Sequence, residues 1–431
     1  MTNLNKVSIT KTDILLIGTA FVAYTGMYAV RKSFLAGQFE DFEIIGGFHY
    51  KTILIISQVI GYMLSKFIGI KVVSEVAGKD RFKVLVGLVA FGLAMLLAFA
   101  YLPANLKPVA LFFNGLPLGM IFGLVLVYLE GRRNSELLVA GLSATFIFST
   151  GFVKSIGIWL MQEFQVSELM MPFMTGLVFF PLFVLAVYFL SVSKGPDDMD
   201  KQLRTERVSM GSTERKDFLK RHGFSFLGLV LIYVLLTVVR DFRDNFIVEF
   251  WGDLGMSDQP SLMTLTEIPI AVVVLIISAL GILVLSNQKA FLLGMAATFI
   301  SAVLMIITTL LFQEKMVGPV FWMISSGFSV YLPYILFHCL VFERFIALLK
   351  YRGTVGFLFY IADAFGYLAS VGIMIYKEIS GFNYSWVNFF TQLNLIGGML
   401  MAFLVLISLI MVQSDRAKVR IRKLMKLYSG G

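Results

Sequence analysis

Twelve apolar segments, arranged in two groups of six, constrain this chain more than any other feature of its sequence. Each approaches or exceeds the roughly 20 apolar residues that a helix needs to cross a bilayer. The first group lies at about 14–37, 50–77, 82–102, 107–129, 136–161 and 169–193. The second lies at about 224–250, 261–286, 289–312, 316–342, 353–377 and 386–413. Because lipid offers no partners to backbone N–H and C=O groups, the segments predict an all-α membrane protein with twelve transmembrane helices.

The composition excludes several other classes of protein. Hydrophobic residues make up 58% of the chain and charged residues 15%, against about 45–50% and about 25% in soluble domains. The chain has one cysteine, Cys339, so an internal disulfide is impossible. Its position inside an apolar segment favours a small buried core residue. No segment carries metal-ligand spacing, a phosphate-binding loop or a nucleophile motif. We therefore expect neither an enzyme nor a cofactor.

The chain divides into four predicted parts. An N-terminal six-helix bundle covers 1–193, and a C-terminal six-helix bundle covers 224–413. Between them, residues 194–223 include 14 charged residues, too many for lipid, and form a predicted cytoplasmic linker. Its second half, 213–223, is expected to form a short surface helix. Residues 414–431 form a basic cytoplasmic tail.

The basic residues predict the orientation of the chain. With the N-terminus in the cytoplasm, the inside connections hold 25 Lys and Arg residues and the outside connections hold 4. This bias predicts that both termini are cytoplasmic, and the polar N-terminus predicts a retained first helix rather than a signal peptide. The net charge of +9 is then explained by the basic residues of the cytoplasmic connections, and it does not indicate a nucleic-acid partner. We expect a monomer in the bilayer of a bacterial inner membrane.

The two groups of segments resemble each other. "YAVRKSF" at 28–34 aligns with "TVVRDFR" at 237–243, which places Arg31 opposite Arg240. "SQVIGY" at 57–62 aligns with "TEIPIA" at 266–271 at the same offset. Two parallel six-helix repeats are a transporter architecture, in which the substrate binds between the two halves.

We expect ten charged residues of these segments to lie inside the membrane. Each costs roughly 2.5–3.5 kcal/mol at a helix centre, so they need pairing or water. The first group holds four cations and the second group is net acidic, a surplus that favours an anionic substrate in the first half. The residues are Arg31, Lys32, Lys66 and Lys154, then Arg240, Asp241, Arg243, Asp244, Glu267 and Asp363.

The roles of these charges differ. Arg31 and Arg240 lie at equal depth in equivalent helices, so we favour a wet cavity over snorkelling to the membrane boundary. Lys32 lies about 100° round the helix from Arg31 and is expected to snorkel or to form a local ion pair. Asp244 follows Arg240 by four residues, a spacing that allows an internal ion pair or a ligand site.

Three further residues have open roles. Glu267 and Asp363 are either fixed partners of the cations or proton carriers. His338 is expected to be a hydrogen-bonded core residue, with a proton relay as the alternative. Elsewhere, "GLPLGMIFG" places Gly115, Gly119 and Gly123 on one helical face, which predicts close helix packing.

Four stretches resemble one family. "YTGMYAVRKSF", "GYMLSKFIG", "GFSVYLP" and "RGTVGFLFYIADAFGYLAS" are similar to the organophosphate:phosphate antiporters of the major facilitator superfamily. The resemblance implies an alternating-access exchanger in which Arg31 and Arg240 bind a phosphate. It implies further substrate contacts from Tyr24, Tyr28, Lys66, Tyr331 and Tyr367. Two positions depart from the family: Thr150 stands in place of a histidine and Thr237 in place of a tyrosine. Lys154, one turn after Thr150, is added to the expected substrate contacts.

We therefore predict a twelve-helix major facilitator fold and a secondary active transporter of a small organic anion. A phosphorylated metabolite exchanged for phosphate is the specific expectation, with Asp363, Glu267 and Asp244 in coupling or ion pairing. One alternative is a proton-coupled carrier of a neutral solute or drug, in which Asp363 or Glu267 titrates. Another is a transporter-like sensor of a sugar phosphate that binds its ligand without turnover.

Overall fold

A computed structural model gives the fold of this chain. It describes residues 10–42, 47–76, 78–129, 132, 134–195, 212–256, 259, 261–284, 286–349, 351, 355–380 and 385–428. Within these residues, twelve helical segments are long and apolar enough to cross a membrane. The predicted all-α architecture with twelve spans is confirmed.

The described residues form sixteen α-helices. Those of the first half are α1 Lys11–Lys32, α2 Tyr50–Glu75, α3 Arg81–Tyr101, α4 Lys107–Leu118, α5 Ile121–Leu129, α6 Ser135–Ser143, α7 Thr145–Phe164 and α8 Met171–Val192. Those of the second half are α9 Ser212–Asn245, α10 Ile247–Asp253, α11 Ser261–Ile282, α12 Asn287–Gln313, α13 Pro319–Leu336, α14 Phe342–Leu349, α15 Val355–Ile379 and α16 Trp386–Tyr428.

Some spans are interrupted helices. The fourth consists of α4 and α5, and Pro117 lies in the last turn of α4, where it removes a backbone donor. The tenth consists of α13, a π-helix at Phe337–Val341 and α14. Pro333 lies one turn before the π-helix. Single π-helical turns frequently occur at functional sites, and this one contains His338.

The charged segment before the seventh span differs from its prediction. Residues 213–223 do not form a separate surface helix but the first turns of α9, which begins at Ser212. Arg221 donates to Asp217 at 2.8 Å one turn away, and such pairs stabilise a helix in water. Residues 196–211 of the predicted linker and 429–431 of the predicted tail lie outside the described residues.

Internal contacts divide the chain into two compact units. Unit 1 comprises Met1–Thr205, Asp244–Ala271 and Val371–Trp386. Unit 2 comprises Glu206–Arg243, Val272–Ser370 and Val387–Gly431. These units are defined by contacts, whereas the predicted bundles 1–193 and 224–413 are defined by the two groups of apolar segments. The two bundles stay a prediction.

In unit 1, small residues let α2 and α4 approach closely. A Cβ on Gly115 would overlap the carbonyl oxygen of Gln58, and one on Gly119 would lie 2.6 Å from the Cβ of Ser65. Gly61 faces Phe112 from the other helix in the same way. The predicted packing role is confirmed for Gly115 and Gly119.

Two buried amides hold the end of α1 within unit 1. Gln58 on α2 donates to the carbonyl oxygen of Arg31 at 2.7 Å and to Asn114 on α4 at 2.7 Å. Asn114 donates to the carbonyl oxygens of Val30 at 3.1 Å and Gly92 at 2.8 Å. Four helices are thereby tied together around the backbone of Arg31. Buried amides satisfied in this way fix their neighbours.

Candidate functional site

Two cations of unit 1 converge on one aromatic ring. The guanidinium carbon of Arg31 lies 3.4 Å from the ring centroid of Tyr62, and Nζ of Lys66 lies 5.1 Å from it. Lys66 is also 5.9 Å from the ring of Phe122. A ring face attracts cations through its quadrupole. We call Arg31, Tyr62, Lys66, Phe122, Tyr24 and Tyr28 the Tyr62 cluster.

The two predicted tyrosines of α1 belong to this cluster. The rings of Tyr24 and Tyr28 lie 5.3 Å apart, edge to face, and that of Tyr24 lies 5.6 Å from Phe122. Both tyrosines are buried. The structure therefore brings together four residues that the sequence analysis named: Arg31, Lys66, Tyr24 and Tyr28.

Tyr62 itself was missed by sequence reasoning. It precedes Lys66 by one helical turn on α2, a spacing that places both side chains on one face. That spacing was a signal that could have found it. Phe122, on α5, carries no comparable signal.

A second group in unit 1 centres on Asp244. Its carboxylate accepts from Nζ of Lys32 at 2.9 Å and from Nζ of Lys154 at 2.7 Å. Lys32 also donates to Asn245 at 2.8 Å. The two lysines and Asp244 are all buried. The ion pair of Lys32 is therefore not local, because its partner is more than 200 residues away in the sequence. Lys154, which the sequence analysis grouped with the substrate contacts, pairs with the same carboxylate.

Two more ion pairs of unit 1 involve residues that sequence reasoning did not name as a site. Lys51 pairs with Glu249, and burial raises the pKa of that carboxyl group although Lys51 opposes the effect. Glu378 accepts from Thr52 at 2.6 Å and pairs with His49 at 2.8 Å. No local sequence pattern connects these partners.

Glu267 lies on α11 beside α7 of unit 1. It is buried, and a Cβ on Gly151 would lie 2.8 Å from its Cγ. One turn earlier, Thr264 shares a hydrogen bond of 2.7 Å with Ser155. Glycine at this point of α7 thus makes room for the predicted coupling residue.

In unit 2, a hydrogen-bonded network centres on the Tyr233 hydroxyl. It donates to Asp363 at 2.6 Å and lies 2.8 Å from Nε2 of His338 and 3.1 Å from the Tyr334 hydroxyl. Helix α9 supplies Tyr233, α13 and the π-helix supply Tyr334 and His338, and α15 supplies Asp363. We call these four residues the Tyr233 network.

Arg240 lies beside this network in unit 2. Its guanidinium carbon is 4.2 Å from the ring centroid of Tyr334 and 5.9 Å from that of Tyr367. Its Nη2 pairs with Asp241 at 2.8 Å, and Asp241 accepts from Ser370 at 3.0 Å. The structure thus brings together the predicted Arg240 and Tyr367.

Tyr331 contacts a different arginine. Its ring centroid lies 5.7 Å from the guanidinium carbon of Arg243, which donates to the carbonyl oxygen of Met323 at 3.2 Å. Arg243 is completely buried. Aromatic and cationic groups dominate the Tyr62 cluster and the surroundings of Arg240. Among the described residues, no group of three or more His, Cys, Asp and Glu could hold a metal ion.

The fold is similar to that of solved membrane transporters. One is the nucleoside transporter NupG, with a TM-score of 0.60 and 15% identity over 93% of this chain and 99% of that one. Another is a D-xylose–proton symporter, with a TM-score of 0.56 and 15% identity over 90% of this chain and 96% of that one. This likeness shows the major facilitator fold.

The sequence comparisons give the family. No curated protein matches the sequence of the chain. A family described as a family of unknown function, DUF5690, matches residues 33–415. That match covers most of the chain and nearly all of its transmembrane spans. The protein therefore belongs to the DUF5690 family and has the major facilitator fold.

Proposed function

We propose that the protein is a secondary active transporter of a small organic anion that works by alternating access. The observation that carries this proposal is the convergence of Arg31 and Lys66 on the ring of Tyr62. Both cations lie against the same ring, 3.4 and 5.1 Å from its centroid, and positive charge gathered at one place attracts an anion. The two solved transporters with this fold support transport as the activity.

The details of the Tyr62 cluster suit an oxyanion. Arginine keeps its charge and presents a planar fork that donates to two oxygens of a phosphate or carboxylate. Gln58 holds the backbone of Arg31 and the Tyr62 ring packs against its guanidinium, so little conformational freedom is lost when the side chain binds a ligand. Lys66 is only half-buried and can adjust to ligands of different size.

The resemblance to the organophosphate:phosphate antiporters points to a phosphorylated metabolite, exchanged for phosphate. In unit 2, Arg240 offers another guanidinium to this class of ligand, and the rings of Tyr334 and Tyr367 lie beside it. Tyr24, Tyr28, Lys154 and Tyr331 complete the proposed set of substrate contacts. Asp363, Glu267 and Asp244 are proposed for coupling or ion pairing. We place the protein as a monomer in a bacterial inner membrane, with both termini in the cytoplasm.

Uptake into proteoliposomes tests this function. Vesicles are loaded with unlabelled phosphate and diluted into labelled phosphate, glucose 6-phosphate or glucose. We expect uptake of at least one of the two anions, no uptake of glucose, and at least a tenfold loss of anion uptake in Arg31→Gln and in Lys66→Gln.

The matched control is Lys107→Gln. Lys107 is a buried cation of unit 1 that donates to the carbonyl oxygen of Phe99 at 2.7 Å and is not part of the Tyr62 cluster. This variant should retain anion uptake. Uptake of glucose but of neither anion would contradict the proposal and favour a carrier of neutral solutes. Anion binding without any uptake would favour a sensor.

A further inference from the structure

We propose that Asp363, Tyr233 and His338 of unit 2 form a proton-binding site in the membrane. The Tyr233 hydroxyl lies within hydrogen-bond distance of both other groups, 2.6 Å from Asp363 and 2.8 Å from Nε2 of His338. Carboxylic acids and imidazoles inside a membrane are costly, and they commonly serve proton transfer. This inference goes beyond anion transport and does not depend on it.

The hydroxyl of Tyr233 can connect its neighbours in two ways. A hydroxyl has one proton to donate and two lone pairs to accept with. When Asp363 is ionised, the hydroxyl donates to the carboxylate and accepts from an N–H at Nε2 of His338. When Asp363 is protonated, it donates to the hydroxyl, which then donates to a bare Nε2. Both arrangements use the same heavy-atom positions.

This geometry allows a proton to pass along the three groups. A proton arriving on the far nitrogen of His338 lets Nε2 give its own proton to the Tyr233 oxygen. The phenol proton moves at the same time to Asp363 Oδ1, so Tyr233 stays neutral throughout. One proton enters at the imidazole and one is held on the carboxyl group, and no other reactant is needed.

The surroundings favour a change of charge at this point. Titratable and charged groups surround the network from four elements. Tyr334 on α13, His338 on the π-helix and Asp363 on α15 reach the Tyr233 hydroxyl, and Arg240 on α9 lies against Tyr334, beside Asp241 of α9 and Tyr367 of α15. The other rings around the network are apolar: Phe337, Phe342 and Phe359. Low polarity around a few ionisable groups makes each proton position sensitive to the others.

The network also reaches Arg240 through Tyr334. The guanidinium of Arg240 lies over the ring of Tyr334. The hydroxyl of Tyr334 lies 3.1 Å from the hydroxyl of Tyr233. Loading a proton onto Asp363 removes a negative charge near Arg240. The positive field at Arg240 then increases, so protonation and the binding of an anion at this residue should favour each other.

Infrared difference spectroscopy on the purified protein, without any substrate, tests the site directly. A pH titration follows the carbonyl stretch of protonated carboxyl groups in the wild type and in variants. We expect a component that Asp363→Asn removes. Tyr233→Phe and His338→Gln should keep this component and displace its midpoint by about one pH unit or more.

The matched control is Glu378→Gln, which removes another buried carboxyl group but lies in unit 1 and outside the proposed coupling set. It should leave the Asp363 component unchanged. Should Asp363→Asn fail to fold, the displaced midpoints in the other two variants decide the question. A midpoint that neither Tyr233→Phe nor His338→Gln displaces would overturn the proposal. Because no anion is present, failure of the anion-transport proposal would leave this result unaffected.

Discussion

At the scale of single residues, Asp244 shows how this membrane protein accommodates charge. One carboxylate accepts from two buried lysines, Lys32 on α1 and Lys154 on α7. Breaking a buried ion pair by removing one partner leaves a desolvated charge, which is far more costly than losing an exposed pair. The position of Asp244 is therefore set by two lysines at once.

We expect Asp244→Asn to lower the free energy of unfolding by about 3–5 kcal/mol, because two buried ammonium groups lose their carboxylate. Denaturant unfolding of the detergent-purified protein measures this. The matched control is Asp217→Asn, which breaks the exposed pair with Arg221 and should cost about 0.5 kcal/mol or less. Equal losses in the two variants would show that the Asp244 pairs contribute no more than surface pairs do.

At the scale of helices, the contact between α2 and α4 sets the position of the Tyr62 cluster. Tyr62 and Lys66 both belong to α2, whose backbone meets α4 at Gly115. A side chain at Gly115 would meet the carbonyl oxygen of Gln58 and the backbone nitrogen of Tyr62. The two helices would have to separate, and the ring below Arg31 would move with α2.

Gly115→Ala should therefore lower the free energy of unfolding by about 1–3 kcal/mol through overpacking. It should also weaken anion uptake without removing any charged group. The control is Gly87→Ala in α3, where a Cβ meets open space and alanine should stabilise the helix by about 0.5–1 kcal/mol. Thermal unfolding of both variants measures the difference. A Gly115→Ala protein as stable as Gly87→Ala would show that the contact is loose.

At the scale of the whole molecule, the architecture could be predicted because each transmembrane span is a local pattern. The partners of the charges could not. Lys66 and Tyr62 are one turn apart and leave a trace in the sequence, whereas Lys32 and Asp244 lie in different halves of the chain. His338 is expected to be hydrogen-bonded, but nothing nearby in sequence reveals that its partner is Tyr233 or that Asp363 binds the same hydroxyl. The need for partners was predictable, and their identity depended on tertiary packing.

The most direct test of the central claim, that the Tyr62 cluster binds an anion, is thermal unfolding in the presence of candidate ligands. The probes are phosphate, glucose 6-phosphate and glucose, applied to the wild type, Arg31→Gln and Lys107→Gln. We expect an anion at 100 times its Kd to stabilise the wild type and Lys107→Gln by about 2.7 kcal/mol, and to leave Arg31→Gln unchanged. Equal stabilisation of all three proteins by glucose, with no effect of either anion, would contradict the account.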